Sequence, residues 1–393
     1  MFASLVWSLP LALSMPLQGL PTQSTQVERN DRVRFGDRVW VVDSSGAGDV
    51  TTVQEAIDLA AASDLVIVRD RGEVYADFRI EGQAASVVGE GGTPDFGQST
   101  TIVLGVNDGP VVLRNLGVNL DVRDVGTTVW LEETSTSTVA TNGDLFVSNV
   151  AELVLTRSTI RLSDFIALLL GSGQNGATVR DSSMHAFESE LYGARGKSCF
   201  NFGSVNGGAG LESLRSFVAL YDCGLFGGAP GEFRDNMFNC FPGNEGLGYE
   251  GLTGSTAHEL STTFQGGTSG TLSTFLGLPR SLSAPALIED GDLAQLTVTG
   301  PPGELVSILR SPRTEVSFAP LFYGTNLVGP NPIVTVHGNL PPSGTMTIDV
   351  ALPPIGPERE FQAWTFQSLQ FDAANAYLSS GSITHVIEPG LLP

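Results

Sequence analysis

Carboxylates are the side chains of this sequence best suited to chemistry. Among 393 residues, 42 are acidic and 20 basic, while histidines number only four. If the chain winds into stacked coils, acids one coil apart in sequence lie side by side on one face. Asp144 in "GDLFV" and Asp164 in "SDFIALLLG" are separated by such an interval, and Asp181 and Asp222 hold the same place in a short repeat described below. Paired acids of this kind can share the acid and base roles on a glycosidic bond, or bind calcium and so acidify a uronate proton. A second cluster lies in "NLDVRDVG", where Asp121, Arg123 and Asp124 fall together. In a strand, Asp121 and Arg123 share a face, and a carboxylate beside a guanidinium suits a sugar site or a calcium-plus-arginine site. Read as a solvated loop, which is the favoured reading, the same residues form an ion pair of little energetic consequence. Trp130 in "TTVWLEE" and Tyr221 in "ALYDC" are expected to be exposed and able to stack on sugar rings.

Other chemistries find less support. A serine or cysteine triad needs a base beside the nucleophile, but His185, His258, His337 and His385 are scattered and none adjoins a G-x-S-x-G. The same scatter argues against a histidine metal centre. "GSGQNG" (171–176) lacks the Lys-Ser/Thr of a phosphate loop and reads as a turn. "EDGDL" (289–293) can hold calcium only in part and reads first as a surface turn. Cys199, Cys223 and Cys240 allow one disulfide and one free thiol, in a spacing that fits no zinc pattern. A formal charge of -22, with Lys197 the only lysine, repels nucleic acid and anionic membrane, so neither is an expected partner. Residues 1–20, "MFASLVWSLPLALSMPLQGL", are too short and Pro-broken to span a bilayer and read as a secretory signal peptide lacking a positive start. The alternatives are a truncated gene start or a disordered apolar tail.

These candidates need elements to position them. Forty-seven glycines and 22 prolines, with abundant Ser, Thr and Val, predict strands and turns. One helix stands out: Thr52 and Glu55 form a capping box, and Val53, Ala56, Ile57, Ala60 and Ala61 make one apolar stripe. Strands follow in "LVIVRD", "DFRIEG" and "ASVVGEG". The helix is expected to close the open end of a strand stack, whose edges otherwise recruit other chains. A weak repeat supports the stack: "LRNLGV" from 113, "LTRSTI" from 155, "VRDSSM" from 179 and "LYDCGL" from 220. Their starts fit one or two multiples of a unit of about 21 residues. Asn115, Arg157, Asp181 and Asp222 share its third position, where Asn and Asp suit a tight left-handed bend. A two-sheet sandwich remains the alternative, with Asn-Gly turns at Asn142, Asn175 and Asn206. Beyond residue 280 a Pro-containing linker leads into alternating segments marked by Leu293, Leu296, Val298, Leu305, Val306 and Ile308, which predict a small antiparallel sandwich.

The stretch "GDVTTVQEAIDLAAASDLVIVRDRGEVYADFRIEGQAASVVGEGG" resembles the opening of right-handed parallel β-helix proteins of the pectin lyase-like superfamily. Asp49, Thr52, Gln54, Glu55, Ala56, Ile57, Gly72, Tyr75, Gly89 and Gly91 carry the resemblance, which is closest to pectinesterases and to uncharacterised β-helix proteins. It implies a fold more than an activity, because the superfamily hosts lyases, hydrolases, esterases and adhesins. By resemblance to the pectinesterase segment "DFIFG", Asp164 would be the nucleophile and Asp144 its neighbour. The Gln-Asp-Thr and "GRPW" phrases of that family are absent, and Asp164 as a bend residue beside a buried strand is the favoured reading. The C-terminal segments are similar to an accessory β-domain of large secreted bacterial proteins. The expected architecture is therefore all-β: a signal peptide at 1–20, a right-handed parallel β-helix with an N-terminal capping helix at 38–278, and a β-sandwich at 285–393. Three functions follow, in order of expectation: a secreted or cell-surface carbohydrate-binding or display protein, a polysaccharide-active enzyme, or a structural or adhesive exterior protein. Polysaccharide is the partner class this leaves, and calcium the cofactor its acids can use.

Overall fold

A computed structural model describes residues 38–62, 64–96, 100–136, 145–161, 173–196, 206–231, 243–356 and 359–391. From Val39 to Phe275 the strands pair in parallel. Val39–Val42 lies beside Leu65–Arg69, followed by Ser86–Glu90 and Val111–Arg114, in one large sheet. Two long strands, Leu120–Glu132 and Leu145–Thr156, then run side by side around a corner. Beyond them the sheet divides. Ala177–Arg180, Leu211–Leu214 and Tyr249–Gly251 continue one wall, while Ser183–Phe187, Phe217–Tyr221, Thr256–Leu260 and Thr271–Phe275 continue the other. A further parallel sheet stacks Thr159–Arg161, Glu190–Tyr192, Gly224–Phe226 and Thr263–Gln265. The interior is a continuous column of aliphatic side chains, among them Val66, Val87, Leu113, Leu131, Leu155 and Leu220. Parallel strands wound this way form a solenoid-like stack that hides its apolar faces from water.

The bends explain the repeat. Asn115, Arg157, Asp181 and Asp222 all have positive φ, between 49° and 56°, as their shared place in the motif predicts. They belong to two columns, however. Asn115, Glu133, Arg157, Glu188 and Asp222 stack in one, each amide donating at 2.9 Å to a carbonyl of the next coil. Asp124, Asn149, Asp181 and Arg215 stack in the other. Each coil thus bends twice with the same local grammar, so the equivalence expected for Asp181 and Asp222 does not hold: the counterpart of Asp181 is Arg215.

Glycines make another wall. The amides of Gly208, Gly228 and Gly246 donate to Ala194, Gly208 and Gly228 at 2.8–2.9 Å. A Cβ on Gly208 would fall 1.9 Å from the Gln174 carbonyl oxygen, and one on Gly207 only 1.8 Å from that of Gly228. Asn175 and Asn206 lie in this array rather than in hairpins: their Oδ1 atoms accept the amides of Ala209 and Asn244, both at 2.9 Å.

The helix Val53–Leu59 begins where expected, with Glu55 N donating to Thr52 Oγ1 at 3.2 Å, and it buries Val53, Ala56 and Ile57 in the interior column. From Ser281 the pairing changes. Ser281–Ser283, Leu293–Thr299 and Thr345–Ala351 form an antiparallel sheet. Leu287–Glu289, Ala376–Ile387, Phe361–Phe371, Leu305–Ser311 and Ile333–Asn339 form a second, with Leu287–Glu289 running parallel to its neighbour. Leu296, Val298 and Ile348 of the first meet Ile308, Trp364 and Phe366 of the second in one core. Leu293 and Leu305 point outward instead, because Ala294 and Val306 take the buried phase of their strands.

The segment expected to be a linker is packed. The carbonyls of Leu282, Ala284 and Pro285 accept from Arg157 and Arg114 of the parallel sheet. The described residues belong to one compact unit, and a second apolar cluster crosses the junction, joining Trp130, Phe187 and Tyr221 to Leu327 and Ile383.

Candidate functional site

The corner of the long strands brings the polar residues together. "NLDVRDVG" is strand, not the solvated loop favoured from sequence: Leu120–Glu132 runs through it and turns at Asp124, φ 53°. On the strand before the turn, Asp121 and Arg123 share a face as alternation requires, and Arg123 Nε and Nη2 donate to the two carboxylate oxygens at 2.6 Å each. One coil on, Phe146 lies opposite Asp121 and Arg180 opposite Ser148. Both arginines cover the half-buried Phe146 ring, their guanidinium carbons 4.9 and 5.6 Å from its centroid. Arg180 in turn lies 3.6 Å from Glu212. The result is an outward strip of cation, aromatic, cation and acid.

Around the corner the strip continues as the bend column. Asn149 Nδ2 donates to Asp124 Oδ1 at 2.8 Å, and Arg215 donates twice to Asp181 at 2.6 Å. With Asn107, Ser183 and Phe217 these residues line a shallow depression of about 490 Å³. Arg215 holds the Asp181 carboxyl below the usual carboxylate range, and the hydrogen bonds that Arg123 donates to Asp121 raise the Arg123 pKa further. Asp181 is therefore a fixed anion near neutral pH rather than a proton carrier. Planar carboxylate, amide and guanidinium groups on an exposed face, beside an aromatic ring, can bind hydroxyl pairs and the apolar face of a sugar.

Other expected site residues fall elsewhere. Asp144 and Asp164 lie outside the described residues, as do Cys199, Cys240 and the segment 1–20. Asp222 is exposed in the other bend column, its carboxyl pushed up by partial burial, away from Asp181. Trp130 and Tyr221, expected to be exposed, are buried. Alternation does turn both outward from the stack, but the C-terminal sheets cover that face. Trp130 is 0% exposed and donates from Nε1 to Glu132 at 3.2 Å. Tyr221 is 5% exposed, stacks on Phe187 at 4.7 Å and bonds Thr325 at 3.1 Å, and burial raises its hydroxyl pKa. Neither ring can reach a ligand.

A relay-like arrangement exists but is sealed. His185 lies between Glu152 Oε2 at 2.9 Å and Thr325 Oγ1 at 2.8 Å, yet Thr325 is fully buried and His185 is 2% exposed. It ties the parallel sheet to the C-terminal sheets, and no histidine is among the described residues that line the depression. Among the described residues, no group of three or more His, Cys, Asp or Glu side chains is placed to hold a metal ion. "EDGDL" forms a turn at Gly291, φ 96°, with Glu289 and Asp290 accepting backbone amides. Cys223 is a buried free thiol. No helix among the described residues is long and apolar enough to cross a membrane.

Sequence reasoning missed Phe146, Asn149, Arg180, Glu212 and Arg215. Their signal was the coil register, which assigns "LFV", "TVR" and "SLR" to one wall only once the bends are known. No family model matches this sequence, and no curated protein is similar to it.

Proposed function

We propose that the protein is a secreted or cell-surface carbohydrate-binding protein, built as a right-handed parallel β-helix of the pectin lyase-like kind with a β-sandwich accessory domain. The residues of the resemblance support the fold reading, since each has local work. Asp49 accepts the Val41 amide at 2.9 Å, Thr52 caps the helix, and Gln54 accepts the Arg79 amide at 2.7 Å. Tyr75 donates to the Arg69 carbonyl at 2.6 Å, and Gly91 takes a φ of 79°. The helix then serves as the cap of the first coil. The two C-terminal sheets around one core support the sandwich reading.

The observation that carries the function is the half-buried Phe146 between Arg123 and Arg180, beside the Asp124, Asn149, Asp181 and Arg215 corner. Binding fits this face better than catalysis, because Asp121, Asp124 and Asp181 are each held by an Arg or Asn donor, and Arg215 keeps Asp181 ionised. The chemistry suits a neutral or uronate-containing polysaccharide whose hydroxyls meet the paired groups. The test is affinity electrophoresis of the full chain through a panel of soluble polysaccharides, with and without calcium, alongside an assay for released sugars. Retardation without product is expected. Phe146→Ala should weaken it by about fivefold, as loss of roughly 1 kcal/mol of ring contact would give. Product release would move the reading to an enzyme. Retardation unchanged by Phe146→Ala and Arg180→Ala, or none at all, would leave a structural exterior protein.

A further inference from the structure

The stack of parallel strands has two ends, and they differ. At the first strand the edge is occupied. Val39 N donates to Glu360 Oε2 at 2.7 Å, Val41 N donates to Asp49 Oδ2 at 2.9 Å, and the Val41 carbonyl accepts from Asp49 and Val50 at 2.8 and 3.3 Å. The helix Val53–Leu59 packs Val53, Ala56 and Ile57 against the same coil. At the last coil nothing comparable occurs among the described residues. Thr263–Gln265, Thr268–Ser269 and Thr271–Phe275 each pair with the preceding coil alone. One edge of each therefore presents its backbone donors and acceptors outward.

The side chains around that edge are unusual for this protein. Leu276, Leu278 and Leu321 are 84%, 60% and 86% exposed. No Asp, Glu, Lys, Arg or His occurs from Leu260 to Pro279, in a chain of formal charge -22. A bare strand edge is normally guarded by charge, proline, a bulge or a covering element. Here the guards are missing at one end and present at the other.

We infer that two copies of the chain join tail to tail through this last coil. Head-to-tail stacking would need a free first strand on the second copy, and that strand's edge is already bonded. The remaining stack edge that a second copy offers is the same last coil, which makes the contact self-complementary about a two-fold axis. Thr271–Phe275 of each copy then runs antiparallel to its counterpart with Ser273 near the axis, and Leu276, Leu278 and Leu321 are enclosed. The missing charges have a role in this arrangement. They allow two strongly acidic molecules to touch along a segment that itself carries no carboxylate, and salt that screens the repulsion from Glu245, Asp372 and the rest of the chain strengthens the pair.

Sedimentation velocity of the full chain across a concentration series, at about 0.05 M and about 0.5 M salt, tests this. A monomer–dimer equilibrium that tightens at the higher salt is expected. Leu276→Lys and Ser273→Lys lie at exposed positions, and each should weaken association by tenfold or more while leaving the circular dichroism and unfolding midpoint unchanged. Should either variant fold poorly, Ser273→Cys provides an independent reading: oxidation of the dimer should join two copies through residue 273, identified by peptide mass. A monomer under every condition, a dimer indifferent to both lysines, or growth into open-ended filaments would each overturn the inference.

Discussion

Replacing Glu132 should unfasten the junction between the parallel sheet and the C-terminal sheets. This carboxylate is 0% exposed and meets five donors. Trp130 Nε1 lies at 3.2 Å, Ile383 N at 3.1 Å and Arg114 Nη2 at 3.2 Å, and Arg157 and Ser382 complete the set. In Glu132→Ala, Arg114 stays buried at 1% exposure, with only the half-exposed Glu133 at 3.3 Å as counter-charge. Removing one partner of a buried ion pair costs about 3–5 kcal/mol, a large part of the roughly 5–15 kcal/mol that holds a domain folded. Urea unfolding followed by far-ultraviolet circular dichroism and by tryptophan fluorescence should show the midpoint drop by about 1 M or more in both signals. Glu132→Gln, which keeps the shape and one acceptor, should lose less. Replacing Arg114, Glu132 and Arg157 together by Met, Leu and Met should recover most of the loss, because no buried charge is then left unpaired. A loss below about 0.5 kcal/mol in Glu132→Ala would refute the reasoning, and would mean that the two parts are held by the apolar cluster around Trp130 alone.

Two further outcomes follow from buried groups. Burial, with the positive charge of Arg114 nearby, lowers the His385 pKa from 6.5 to about 3, so the unfolded chain binds this proton first. Stability should therefore fall as pH drops below about 6.5, by up to roughly 1.4 kcal/mol per pH unit, and His385→Phe should flatten that slope between about pH 5 and 6.5 in urea titrations. Gly208→Ala places a methyl group 1.9 Å from the Gln174 carbonyl oxygen, so it should abolish soluble expression or lower the melting temperature by several degrees, whereas Gly291→Ala, at a turn with open space, should lose little beyond its positive-φ strain.

What the sequence made legible was local. Thr52 and the stripe of Val53, Ala56, Ile57, Ala60 and Ala61 predict a helix because capping and periodicity act within a few residues, and the structure has that helix as Val53–Leu59, with Ala60 as its C-cap and Ala61 beyond it. The motif residues Asn115, Arg157, Asp181 and Asp222 predict bends for a reason equally local, and every one has positive φ. Their assignment to columns was not legible, since it depends on how many residues each coil spends between bends. Two bends with one grammar cannot be told apart before the register is known. Trp130 and Tyr221 fail for a different reason: Leu327 and Ile383, which cover that face, lie far along the chain, and alternation says which way a side chain points without saying what meets it.

The same geometry places the polar row of the proposed binding face at a corner of the stack, beside the wall that carries Phe146. A parallel stack holds neighbouring coils about 4.8 Å apart, so any residue type repeated at a bend becomes a row at that spacing. Bends select Asn and Asp for their tolerance of positive φ, and Asp124, Asn149 and Asp181 therefore form a polar row before any ligand is considered. That row alone is a consequence of winding the chain. Arg215 and the Arg123, Phe146 and Arg180 strip are not: an arginine at positive φ pays strain that Asn or Gly would avoid, and a phenylalanine on an outward wall gives up burial. The residues that the fold does not demand are thus the informative ones. If the face binds no ligand, Phe146→Thr and Arg215→Asn should each leave stability unchanged or raise it, and double substitution should leave retardation by every polysaccharide unaltered. Loss of retardation with stability retained is the outcome that separates a binding face from a by-product of the coil.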